Sequence, residues 1–216
     1  MKTIVFFGPS IAAAEVHSLA AATDAPPVKR GDLAATDDYD VIVILDGEFG
    51  QNRAVSPKEI LAVLDRGKTV IGASSMGALR ASELDRFGMI GVGWVYDHFR
   101  RCAVRRDADV ALVYSPFDFR PMTVPIVDIE YWMERASAAE LIDSRERALV
   151  LKAARKIFFA ERTVDTLMGR LRRAIGGDTL ESLLAFSGGT LPSVKSIDAA
   201  EAIRLSATLA ERRRPD

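Results

Sequence analysis

The amino-acid sequence predicts an α/β fold: an open, mostly parallel sheet with flanking helices, followed by a helical C-terminal extension. Three observations carry that prediction. Residues 3–8 (TIVFFG), 41–45 (VIVIL) and 69–73 (TVIGA) are short, unbroken apolar runs, the pattern of strands buried on both faces. Helical patterns separate them, with connections of a few residues, so right-handed crossovers and parallel pairing are expected. From Val127 onward the pattern is helical throughout.

Taken in order, strand 3–8 ends at Gly8-Pro9-Ser10, and the alanine-rich segment 11–22 reads as a helix with Ser10 at its N-cap position. Pro26 and Pro27 force extended backbone, so 28–30 is read as a short strand or polyproline segment, and Gly31 then turns the chain to present Arg30 and Asp32. Strand 41–45 runs directly into Asp46-Gly47-Glu48-Phe49. Ser56-Pro57-Lys58-Glu59 has the form of a capping box with proline at N1, and Gly67 stops the helix that follows. Strand 69–73 turns into a helix over 76–86, and another helix spans 94–101. Residues 107–114 (DADVALVY) are read as a further strand, and 115–125, with three prolines, as irregular. Helices are expected at 127–141, 144–161, 163–175, 178–186 and 196–213, separated by Ser or Asp starts and glycine stops. The Arg212-Arg213-Arg214 end fits a solvated helix terminus. The expected division is an α/β core over 1–130 and a helical region over 131–216 packed on it.

Composition narrows the function. A chain of 216 residues is long enough for one sizeable core. A formal net charge of −1 gives no global electrostatic case for nucleic acid or an anionic membrane. No segment approaches the roughly 18 apolar residues needed to span a bilayer, and TIVFF is too short for a signal-peptide core. Cys102 is the single cysteine and His17 and His98 the only histidines, so an internal disulfide, a thiolate cluster and a multi-histidine zinc site are excluded. A cytoplasmic protein without metal or cofactor is expected. Cys102 lies amid Arg100, Arg101, Arg105 and Arg106, which favours its thiolate, but a lone buried structural thiol is the plainer reading.

In an open parallel sheet, ligands sit beyond the carboxyl ends of the strands. Four such ends carry polar groups here: Ser10, Arg30 with Asp32, Asp46 with Gly47 and Glu48, and Ser74 with Ser75. Ala73-Ser74-Ser75-Met76-Gly77 fits small-x-Ser-x-small, a loose nucleophile elbow, and Arg80 lies one turn further on. Helix N-termini at these ends add unpaired N–H groups that suit a carboxylate, thiocarboxylate or oxyanion. Structural roles compete: the serines as caps, Asp46-Gly47 as a turn, Arg30 as a scaffold ion pair with Asp32 or Asp46. His98 follows the elbow in chain order, as a hydrolase triad requires, but the separation is short and no acid between them is clearly placed as the third member. Gly88, Gly91 and Gly93 follow a helix rather than a strand, so they lack the context of a dinucleotide fingerprint.

GPS at 8–10, PPVKRGDL at 26–33, DGEF at 46–49, KEIL at 58–61, GASSMGALRASEL at 72–84 and FGMIGVGWVY at 87–96 together closely resemble the TfuA-like core domain over roughly residues 1–130. The resemblance implies a partner of a YcaO-domain protein in backbone thioamidation. It would release sulfide by hydrolysing a thiocarboxylated ubiquitin-like sulfur carrier, while the YcaO enzyme uses the ATP. On that reading Ser75 or Ser74 acts as nucleophile with the Met76 and Gly77 amides as oxyanion donors. Arg30 or Arg80 holds the carrier's anionic terminus, and Asp46 or Glu48 is the general base. The alternatives are a non-catalytic adaptor that recruits the carrier or activates the YcaO enzyme, and a serine hydrolase of small esters. A homo-oligomer is left open.

Overall fold

The computed structural model describes residues 1–104 and 106–212; Arg105, Arg213 and Arg214, singled out above, lie outside the described residues. The chain forms two compact units, Met1–Asp107 together with the C-terminal stretch from Lys195, and Ala108–Val194.

The first unit is an α/β layer structure. Its strands are β1 (Thr3–Phe6), β2 (Thr23–Ala25), β3 (Val41–Ile44), β4 (Thr69–Gly72) and β5 (Ile90–Gly91). They form one sheet in the order β2-β1-β3-β4-β5, and every pairing is parallel. The three apolar runs occupy its centre, where Val41 to Ile44 are fully buried. Side chains alternate across the pleat, so Val5, Val43, Leu45 and Ile71 share one face. That face is closed by α1 (Ala13–Leu19) and by α10 (Val194–Arg212), whose Ala199, Ala200 and Ala202 let it approach closely. Helices α2 (Pro57–Asp65) and α3 (Met76–Leu84) both contact β4. The capping box that starts α2 is formed: the Glu59 amide donates to Ser56 Oγ, and Glu59 Oε2 accepts from the Ser56 amide. Helix α4 (Gly93–Arg101) follows β5.

The edges differ from the sequence reading. The strand beside β1 is Thr23–Ala25 rather than 28–30. Two prolines without N–H groups interrupt the ladder after it, and Val28 then makes an isolated parallel bridge to Gly47. Residues 107–114 are not a strand. Asp107–Val110 forms a single helical turn, α5, and pairing survives only as an isolated antiparallel bridge between Tyr114 and Pro121. Pro116, Pro121 and Pro125 supply no ladder donors, so the pairing cannot extend.

In the second unit α6 (Ile126–Ala138), α7 (Ser144–Arg155), α8 (Val164–Ile175) and α9 (Gly177–Phe186) surround a core that includes Ile129, Trp132, Val150, Leu167, Leu171 and Leu183. Two of its arginines are held by several partners each, and Arg162 is buried. Arg155 pairs with Asp109 and Glu130. Arg162 donates to the carbonyls of Ala154, Val124 and Ile157 at 3.2, 3.0 and 2.9 Å, and burial away from water lowers its pKa. No helix among the described residues is long and apolar enough to cross a membrane.

Candidate functional site

The strand order reverses direction between β1 and β3, and it is at such a switch point that the loops diverge and leave a crevice. Ser10 follows β1 and Asp46 follows β3, so the topology itself brings them together. Asp46 is 3% exposed and its carboxylate is ringed by donors. Oδ2 accepts from the Gly8 and Ser10 amides, both at 2.9 Å, and Oδ1 accepts from Ser10 Oγ at 2.7 Å. The Lys195 ammonium lies 3.7 Å from Oδ1 and is equally buried, which supplies the countercharge a dry carboxylate needs.

Lys195 comes from the start of α10, and Ser74 fixes that start in place. Its hydroxyl donates to the Lys195 carbonyl at 2.7 Å. Ser74 has φ = 65°, a left-handed conformation that costs of order 1–3 kcal/mol in a residue other than glycine. The strained position of the elbow is therefore Ser74, not Ser75. Ser75 sits at the N-cap of α3, but its side chain makes no capping hydrogen bond. Its backbone is pinned instead, the amide donating to the Leu45 carbonyl at 3.2 Å.

The bend is tight because α3 begins almost on top of the sheet. A Cβ on Gly77 would stand 1.7 Å from the Ile44 carbonyl oxygen, so only glycine fits. A Cβ on Gly47 would meet Met76 Cγ at 2.8 Å, so the Asp46-Gly47 turn rests directly against the first residue of α3. The Gly77 amide also donates to the Leu45 carbonyl, at 3.3 Å. Of the two amides nominated as oxyanion donors, the Met76 N–H is the one with no backbone acceptor among the described residues.

The other predicted residues have partners of their own. Arg30 is exposed and donates to the Gln51 carbonyl at 3.0 Å, while Asp32 accepts from the Lys29 amide. Glu48 pairs with Arg53. Arg80 donates through Nε to the Val55 carbonyl at 2.9 Å and pairs with Glu83 at 2.8 Å, so it ties α3 to the loop before α2. His98 stacks on Trp94 with ring centroids 4.8 Å apart, and its Nε2 lies 3.5 Å from Cys102 Sγ. Among the described residues, no three His, Cys, Asp or Glu side chains come together in a metal-binding group.

Residues 46–163, more than half of the chain, match the family model of the TfuA-like protein. The chain belongs to the TfuA-like family. No curated protein matches it. The matched stretch of this TfuA-like chain contains Asp46, Ser74 and Ser75 and leaves out Ser10 and Lys195. Lys195 is the member of the cluster that sequence reasoning misses. So is Asp198, one turn further along α10, whose carboxylate accepts from the Trp94 and Val95 amides at 2.9 and 2.8 Å and caps α4. Neither residue carries a local signal, since each acquires its role from contacts more than a hundred residues away in sequence.

Chemically, the TfuA-like site offers a paired carboxylate and ammonium, a strained serine, a second hydroxyl free of capping duty and a helix N-terminus. The ammonium, the Ser75 hydroxyl and the helix N-terminus are groups of the kind that can meet negative charge, and the set lies at the ends of β1, β3 and β4.

Proposed function

We propose that the chain serves a YcaO-domain enzyme as the sulfide source in backbone thioamidation, hydrolysing the C-terminal thiocarboxylate of a ubiquitin-like carrier protein. The observation that carries this reading is the buried cluster of Ser10, Asp46, Ser74 and Lys195 at the switch point of a TfuA-like chain. Water adds to the acyl carbon, the carbon–sulfur bond breaks, and the carrier leaves as a carboxylate. Sulfide departs as HS⁻ and one proton is released, so atoms and charge balance.

Each group has a role that follows from its surroundings. The Lys195 ammonium and the N-terminus of α3, with the Met76 N–H, meet the negative charge that grows on the acyl oxygen. Ser75, with no capping bond to give up, positions the water that attacks, or attacks the acyl carbon itself to give HS⁻ and a Ser75 ester that water then cleaves to the carboxylate, with the same overall balance. Asp46 accepts three hydrogen bonds already and holds the lysine charge in place rather than taking a proton.

Burial supports a second reading. Ser74, Ser75 and Asp46 are all 3% exposed or less. A chain that recruits the carrier, or activates the YcaO enzyme, needs no open nucleophile. Incubation with purified thiocarboxylated carrier, measuring sulfide and carrier binding together, separates the two. Catalysis is expected to give sulfide in excess of the protein present, with Ser75→Ala and Lys195→Met slowing release roughly a hundredfold while binding persists. Binding without sulfide from the wild-type chain supports the adaptor, and unchanged release in both variants overturns the assignment of these residues.

A further inference from the structure

We propose that the groove between α7 and α8 is a docking site for an acidic, leucine-bearing helical segment of a partner protein. The groove encloses about 300 Å³. Leu149, Ala153 and Ala174 give it an apolar floor, with Lys152 and Lys156 along one side and Arg170 and Arg173 along the other. Positions 149, 152 and 153 fall on one face of α7, which Lys156 continues at the C-cap, and 170, 173 and 174 fall on one face of α8, so helix periodicity builds this lining rather than a chance fold of loops.

The four cations are exposed, and none of their side chains has a hydrogen bond or an ion pair among the described residues. Nearby arginines are treated differently: Arg155 has two carboxylates, Arg162 has three carbonyls, and Arg172 pairs with Glu181. Complementing a helix dipole accounts for a cation in the last turn of each helix, but not for four of them around one apolar floor. The concentration of positive charge also runs against a chain whose net charge is −1.

The occupant follows from charge and spacing. Lys152 and Lys156 are one helical turn apart, about 6 Å along the axis. Carboxylates at the same i, i+4 spacing on a helix laid along the groove face them directly. The exposed Leu149 and the two alanines leave room for one leucine-sized side chain between the charged rows. Nucleic acid would satisfy the cations but not the apolar floor. This surface is independent of the chemistry at the strand ends, and its test does not involve sulfide.

The probe is a fluorescent sixteen-residue helical peptide with one central Leu flanked by Glu and Asp at i, i+4 spacing, titrated into the full chain and followed by anisotropy. Saturable binding is expected, weakening roughly tenfold between about 50 and 250 mM salt. Lys152→Glu with Arg170→Glu should raise Kd roughly tenfold or more, and Leu149→Asn roughly fivefold. All three positions are exposed, and circular dichroism checks that the variants keep their helices. Absence of saturable binding at low salt, an unchanged Kd in the double charge reversal, or indifference to Leu149→Asn with equal affinity for an oligonucleotide of the same charge would overturn the proposal.

Discussion

The buried pair of Asp46 and Lys195 can be weighed by a double-mutant cycle. At 3.7 Å and an effective dielectric of about 20, their attraction is roughly 4–5 kcal/mol, set against the cost of taking both charges out of water. Asp46→Asn leaves the ammonium buried without a countercharge and should destabilise the first unit by about 3–5 kcal/mol. Lys195→Met is milder, about 2–3 kcal/mol, because Asp46 keeps its bonds from Gly8 and Ser10. Both variants preserve the Lys195 carbonyl and so the Ser74 bond. The double variant buries neither charge and should cost about 3–4 kcal/mol, well short of the sum, which makes the coupling about 2–4 kcal/mol. Urea unfolding of the full chain in a Trp132→Phe background reads the correct unit, since Trp94 shares it with the pair and Trp132 does not. Coupling below about 0.5 kcal/mol, or an Asp46→Asn cost below about 1 kcal/mol, would refute the argument that charge pairing holds this site.

Three further perturbations test the site's construction by thermal or urea unfolding. Gly77→Ala drives a methyl into the Ile44 carbonyl and should cost more than about 3 kcal/mol, whereas Gly31→Ala, at φ = 93° in open space, should cost only about 1 kcal/mol; equal costs would sink the close-packing account. Ser74→Gly loses a hydrogen bond but relieves left-handed strain, so it should be more stable than Ser74→Ala by about 1 kcal/mol, and the reverse order would contradict the strain. Burial pushes the Glu59 carboxyl up, but bonds from the Ser56 and Gly31 amides and the Ser56 hydroxyl outweigh it and hold its pKa below the ordinary glutamate value. A depressed folded pKa gives stability that is present above the unfolded value of about 4.3 and is lost as pH falls through the folded one, so wild type should lose more stability across that acid window than Glu59→Gln; parallel pH curves would exclude this linkage.

The centre of the fold is legible in the sequence because its signals are local. Runs such as VIVIL read as strands wherever they fall, since burial on both faces demands continuous apolar residues. The capping box at Ser56 is equally local, with both partners inside one turn. The edges are not. Thr23–Ala25 is polar and mostly exposed, and Ile90–Gly91 is two residues long, so each is a strand only because a neighbour offers a ladder. Residues 107–114 show the converse, a strand-like composition whose pairing stops at the single Tyr114–Pro121 bridge. At the site, Ser10 and Asp46 are legible from the rule that strand ends carry ligands, while the choice between Ser74 and Ser75 depends on backbone angles that composition does not encode.

Lys195 is the part that no local reading reaches, and its position has a consequence. Ser74 and Lys195 are 121 residues apart, and the chain passes through the whole second unit before α10 returns to the sheet. One short stretch of that helix then does three jobs: its carbonyl holds the strained serine, its ammonium balances Asp46, and Asp198 caps α4. All of these contacts require the start of α10 to be seated. The site is thus coupled to a single docking event. Local release of that helix end would strand the Asp46 charge, free the elbow and uncap α4 at once, so hydrogen exchange at the Trp94 and Val95 amides should report the same opening that exposes Ser74 and Ser75.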